Sequence, residues 1–328
     1  MSDTFASGES PAATITPTVV TAITMAADAY DVPSYAAWIV LVGVCLFFMI
    51  LAVGSMGVYG CLPPAVQGLC LLNKRGDDVQ TVDYFLSARN AAGYWSIALS
   101  FFASGMGAWV VYGTTEMGAS PAISWLGVLG YSGASGFPAI VVCFLGPYIK
   151  EKCSDKAFST SDFGRERYGR VMQLSISAIS VFYMFIYMVA ELTSISNVFA
   201  LLTANEDDKA FGIGVTVVIG IFTLLYTGFA GLPSSIVTDR FQALIMAFLM
   251  VVLTIAVCAF DENKVTKEEF KLASSWTLEG FMAMVILVIA ILSAELFNQA
   301  TWQRVWAAES VTAMRKVSVI FYVVLLLE

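Results

Sequence analysis

The sequence predicts an all-α, polytopic membrane protein, and three observations lead there. Of 328 residues, 58% are hydrophobic and 13% charged, whereas soluble domains hold about 45–50% apolar and about 25% charged residues. The mean hydropathy is +0.78. The apolar residues also fall into runs of about 20 or more, the length an α-helix needs to cross a hydrocarbon core of about 30 Å. There is no histidine, which removes imidazole metal sites and His-based nucleophile activation. Cys45, Cys61, Cys70, Cys143, Cys153 and Cys258 show neither a CxxC pair nor metal spacing and read as small hydrophobes. No nucleophile–base pairing appears, so the chain does not read as an enzyme, and nothing suggests a nucleic-acid partner.

Residues 1–34 are rich in Ser, Thr, Ala and Pro and lack the basic start of a secretory signal; they read as an extracellular, mobile tail. The first span covers residues 35–60, and a polar segment with Lys74, Arg75 and Arg89 follows. The second runs from about Ala91 to Met117, and Ser120-Pro121 turns the chain into a third, about Ala122–Ile149. That third span carries Gly127, Gly130, Gly133 and Gly136, which fit close helix packing or a kink. A charged loop, Lys150–Arg170, leads to a fourth span of about 48 Å, Val171–Leu202, which must tilt or protrude. The fifth and sixth cover about Ala210–Phe229 and Phe241–Phe260, and the seventh about Leu278–Phe297. Val317–Leu327 reads as an unfinished eighth.

Sidedness follows from the positive-inside rule. Placing the N-terminus outside puts Lys74, Arg75, Arg89, the six basic residues between Lys150 and Arg170, Arg240, Arg304, Arg315 and Lys316 on the inner side. Only Lys209, Lys264, Lys267 and Lys271 then lie outside. The expectation is a multi-pass protein, of the plasma membrane, with an extracellular N-terminus.

One stretch departs from a plain lipid-spanning helix. Ser100-Phe101-Phe102-Ala103-Ser104-Gly105-Met106-Gly107-Ala108-Trp109 places two glycines and two serines at mid-span. Glycine costs about 1 kcal/mol relative to alanine in a helix. Unwound backbone inside a membrane survives only where its polar groups meet protein, water or an ion. The stretch is therefore a candidate ion site built from main-chain oxygens; close helix packing is the alternative. Two acids also lie within spans. Glu191 shares a helical face with Tyr187 and Ser194, and Glu295 lies near the end of the seventh span. Intramembrane carboxylates are costly and often line a pathway, though a protonated or paired packing role fits them as well.

Four segments together resemble the sodium:solute symporter family. Asp83-Tyr84-Phe85-Leu86-Ser87-Ala88-Arg89 resembles the lead-in to that family's first core helix. The 100–109 stretch resembles its interrupted, sodium-binding segment. Gly231-Leu232-Pro233-Ser234-Ser235-Ile236-Val237-Thr238-Asp239-Arg240-Phe241-Gln242 resembles an inner loop, and Asn298-Gln299-Ala300-Thr301-Trp302-Gln303-Arg304-Val305-Trp306-Ala307-Ala308 a later inner segment. The resemblance implies a LeuT-like, inverted-repeat transporter. On that plan residues 35–60 are an extra N-terminal helix, 91–260 the complete first five-helix repeat, and 278–328 the start of a truncated second repeat.

The resemblance also implies roles. Backbone carbonyls of Ala103 and Met106 would bind sodium, with the remaining ligands on a helix beyond this chain. Asp239 would serve ion release or coupling and Arg89 coupling; an interfacial cap and a positive-inside anchor are the alternatives. Gly105, Trp109, Glu295 and Gln299 are substrate-pocket candidates, and Glu191 a pathway candidate. Trp109-Val110, where sugar carriers place a glutamine, argues against a sugar. Met106-Gly107-Ala108-Trp109 and Trp302-Gln303-Arg304 resemble the urea transporters of fungi, plants and algae. The expected activity is thus import of a small polar organic solute, urea first and proline or another amino acid second. Coupling would be to Na+, with H+ as the alternative, and no cofactor is expected. A competing expectation is a truncated, non-transporting fragment or isoform associating with a full-length homologue.

Overall fold

A computed structural model describes residues 32–57, 82–120, 122–154, 157, 159–205, 208–260 and 267–327. The N-terminal tail to residue 31, Lys74, Arg75, Pro121, Lys156 and Lys264 lie outside the described residues, as do the side chains of Asp83 and Trp109. Among the described residues the chain forms helices only: α1 (Ser34–Gly57), α2 (Val82–Ser87), α3 (Tyr94–Gly105), α4 (Ala108–Ala119), α5 (Ser124–Lys152), α6 (Thr160–Tyr168), α7 (Arg170–Leu202), α8 (Lys209–Phe260), α9 (Lys267–Ala273), α10 (Leu278–Glu295), α11 (Gln299–Ala307) and α12 (Val311–Leu327). Six stretches are long and apolar enough to cross a membrane: α1, α5, α7, α10 and the two parts of α8. The fold is that of an all-α polytopic membrane protein.

The outer faces fit a lipid solvent. Leu174, Val181, Phe185 and Ile186 on α7, and Phe248, Leu249 and Leu253 on α8, project away from the protein. Such a contiguous apolar surface requires cover, and a bilayer supplies it because each helix satisfies its own backbone. The interior is assembled where α3, α5, α8, α11 and α12 meet, around Ile97, Phe101, Val142, Ile236, Val305 and Trp306. Gly130 is part of the reason that α5 and α10 approach closely. A Cβ there would lie 2.8 Å from the Met284 Cα, so the glycine-rich face of α5 serves packing.

Three boundaries differ from the sequence reading. The segment Gly231–Gln242, expected as a loop, is helical and belongs to the long α8. Gly231 alone leaves helical geometry, at φ 64 and ψ −164, and Pro233 follows in the first turn of the new helix, where its missing N–H costs nothing. The final helix begins at Val311, six residues before its apolar run. Arg315 and Lys316 interrupted that run in the sequence, but both are exposed, and the Lys316 ammonium sits 4.9 Å from the Tyr94 ring centroid. The seventh span stops at Glu295, and Leu296–Asn298 separate it from α11.

Gly231 is irreplaceable on two grounds. Its positive φ disfavours any side chain, and a Cβ would lie 2.6 Å from both the carbonyl oxygen and the Cδ2 of Phe85. We expect Gly231→Ala to cost at least about 2 kcal/mol, from left-handed strain and overpacking together, read as a lower thermal midpoint in detergent. An unchanged midpoint would mean that the α2–α8 contact is not formed.

Candidate functional site between two interrupted helices

The segment singled out by its glycines is broken. α3 ends at Gly105, Met106 takes φ −95 and ψ 88, Gly107 takes φ −93 and ψ −176, and α4 begins at Ala108. Each half has 12 residues and rises about 18 Å, so neither crosses a bilayer alone. Ala103 sits in the last turn of α3, and Met106 lies in the gap itself.

A second break faces the first. α10 ends at Glu295, and Asn298 caps α11 by accepting from the Ala300 amide at 3.1 Å. The side-chain carboxamide of Asn298 also donates to Glu295 Oε2 at 2.9 Å. Thr301 donates to the same oxygen at 3.1 Å, and the Tyr183 hydroxyl donates to Oε1 at 2.7 Å. Three donors thus orient one carboxylate at the end of α10. The Asn298 cap marks this break, which the sequence hides because the apolar run passes through Leu296 and Phe297.

Between the breaks lies a cavity of about 390 Å³. Its lining includes Ser104 and Gly105 from α3, Tyr131 and Ser135 from α5, Tyr183, Tyr187, Glu191 and Ser194 from α7, Glu295 from α10, and Thr301 from α11. Tyr183, Tyr187 and Glu191 recur at intervals of four, so one helical face of α7 delivers all three. The Tyr183 and Tyr187 ring centroids are 6.1 Å apart. Glu191 reaches the first break. A Cβ built on Gly107 would lie 2.0 Å from its Oε1, 2.5 Å from its Cδ and 2.6 Å from its Oε2. No lysine or arginine is among the described residues lining the cavity.

Of the residues expected at the pocket, Gly105, Glu191 and Glu295 line this cavity. Gln299 does not line it; its carboxamide donates to Thr160 Oγ1 at 3.0 Å and Ser180 Oγ at 2.9 Å. Tyr131, Tyr183 and Thr301 were not legible as site residues, because aromatics and hydroxyls scattered along apolar spans look like packing until the fold gathers them.

Asp239 is elsewhere, in a buried ion pair. The Arg304 Nη2 donates to its Oδ2 at 3.0 Å, Arg304 Nε donates to Ser100 Oγ at 2.7 Å, and Ser100 Oγ donates to Asp239. Arg304 Nη1 donates to the Ala300 carbonyl at 2.8 Å. One network therefore fastens α3, α8 and α11 together. Arg89 lies apart from it and donates to the Ala157 carbonyl. At the same end of the bundle, Lys150 Nζ donates to Asn90 Oδ1 at 2.8 Å and to the Trp306 and Ala308 carbonyls at 3.0 Å, a cation at the C-terminus of α11. The Ala92 amide donates to the Ala307 carbonyl, and the Glu309 amide to the Ala92 carbonyl, each at 2.9 Å. In the loop beyond α5, Ser154 donates from both its amide and hydroxyl to Glu166, holding that carboxyl below its ordinary pKa.

Comparison with known proteins places this architecture. The sequence profile of the sodium:solute symporter family matches residues 84–327. The chain belongs to the sodium:solute symporter family. It is similar to the spermidine transporter DUR31 of Candida albicans, at 28% identity over 230 residues. That match covers 69% of this chain and 42% of the relative, so the chain spans less than half of that relative's length. No solved structure matches the chain. The family is one of symporters and the relative is a transporter; the chain is a multi-pass membrane protein of that family, and both helix breaks lie within the residues that the family profile covers.

Proposed function

We propose that this symporter carries a small organic amine, a diamine or polyamine, bound in the cavity between the two helix breaks. The carrying observation is that Glu191 and Glu295 both line that cavity while no described basic side chain does. Charges inside a low-dielectric bundle are costly unless matched, and a solute bearing two ammonium groups matches two carboxylates. The faces of Tyr131, Tyr183 and Tyr187 can add cation–π attraction. The similarity to a fungal spermidine transporter supports the same solute class.

Urea, the solute that the sequence resemblance implied, is neutral and suits a polar pocket without charge; the two carboxylates favour an amine over it, and also over proline. Coupling to Na+ belongs to the same reading. The carbonyls of Ala103 and Met106 stand at the first break, where a hard cation finds main-chain oxygens, and H+ is the competing coupling ion. Alternating access would rock the helices around the cavity, with the basic end of the bundle inside and the N-terminus outside at the plasma membrane.

The test is binding of radiolabelled spermidine, putrescine, urea and proline to the chain in lipid nanodiscs, with Na+ or choline as the cation. Spermidine and putrescine are expected to bind saturably, more tightly in Na+, with urea and proline failing to displace them. Displacement by urea at comparable concentration would return the assignment to urea. Equal binding in choline would remove Na+ as the coupling ion.

A further inference from the structure

The carboxylate of Glu191 sits at an unusual place. It is packed against Gly107, the residue that caps the N-terminus of α4. The first amides of a helix have no partner within it, and their aligned dipoles place about half a positive charge there. A half-helix N-terminus exposed at mid-membrane is accordingly a seat for an anionic group of a solute. Here the seat faces a carboxylate that belongs to the protein, carried on α7 and also lining the cavity. The contact is too close to share: even a methyl group on Gly107 would overlap the carboxylate.

We propose that Glu191 is a specificity-determining residue that occupies the anion seat at the α4 N-terminus from within the protein, so that the cavity excludes carboxylate-bearing solutes and admits amines. This rests on the reading of the cavity as the solute site. A solute carboxylate entering the cavity would meet Glu191 where it would otherwise meet the helix N-terminus, and like charges in a low dielectric repel strongly. An ammonium group would meet an anion that packs against the start of α4. Glu295 plays a different part: its oxygens are held by the side chains of Tyr183, Asn298 and Thr301, and the start of α11 beside it is already capped by Asn298, which accepts from the Ala300 amide.

Putrescine and 4-aminobutyrate, similar in length but ending in an ammonium or a carboxylate, separate these roles. In nanodiscs the unmodified chain is expected to bind putrescine and reject 4-aminobutyrate. Glu191→Gln, which keeps the shape and removes the charge, should weaken putrescine binding about tenfold and admit 4-aminobutyrate. Glu191→Asp should restore rejection, and Glu295→Gln should weaken putrescine without admitting 4-aminobutyrate. Continued rejection of 4-aminobutyrate by a folded Glu191→Gln protein, or its equal admission by Glu295→Gln, would overturn the proposal. If the unmodified chain binds no amine, the solute assignment fails; gain of 4-aminobutyrate binding in Glu191→Gln would still uphold the role of Glu191.

Discussion

Arg304→Ala is expected to destabilise the protein by about 3–5 kcal/mol, the usual consequence of removing one partner of a buried ion pair. The reason lies in what would remain. Asp239 is 7% exposed and Ser100 fully buried, so the carboxylate would keep a hydroxyl partner and lose its cation. The reverse change, Asp239→Ala, strands the guanidinium in the same place and should cost about as much. Replacing both, with Asp239→Leu and Arg304→Met, removes the unmatched charge and should cost much less than the two single changes added together. Thermal unfolding in detergent of the two alanine variants and the double variant checks this. Additive losses would show that the two charges do not depend on each other.

The position of this pair gives it a second consequence. Ser100 lies on the first half of one interrupted helix, Arg304 on the second half of the other, and Asp239 on α8. Any motion that opens this end of the bundle must part these three elements, and the ion pair sets part of the resistance to it. The sequence named Asp239 as a coupling residue and counted Arg304 among the inner-side basic residues and in a family-like segment, without joining the two. Nothing in one dimension joins positions 65 apart, and a lone charge near the end of a span looks like an interfacial anchor. The pair becomes visible only when α8 and α11 are brought against α3.

Other features divide along the same line. The apolar runs were legible because burial in lipid imposes a length on each segment independently of its neighbours. The first helix break was legible because Gly105 and Gly107 are locally unsuited to an uninterrupted helix. The second break was not, since Leu296 and Phe297 continue the apolar run and its cause is the cap at Asn298. The helical course of residues 232–242 was missed for a related reason. Gly231 and Pro233 read as a loop, whereas here they re-start a helix after one residue of positive φ. The cavity itself is a tertiary product: Glu191 and Glu295 were legible as costly intramembrane acids, but their common cavity depends on α7 and α10 meeting around it.

Gly107→Ala is expected to cost up to about tenfold in putrescine affinity with little loss of stability. The new Cβ would lie 2.0 Å from Glu191 Oε1, far inside van der Waals contact. The obstructing atoms are the end of a flexible side chain and not backbone, so the fold can relieve the overlap by swinging the carboxylate away. The damage therefore falls on the charge that Glu191 presents at the break, and not on helix packing. Two companions make the argument specific. Gly220→Ala on α8, outside the cavity lining, meets nothing within 4 Å and should bind putrescine nearly as well as the unmodified chain. Gly107→Ala combined with Glu191→Asp draws the carboxylate back by one methylene and should recover part of the lost affinity. Unchanged binding in Gly107→Ala would place the Glu191 carboxylate away from the α4 N-terminus, and its assignment as the selectivity residue would fall with that.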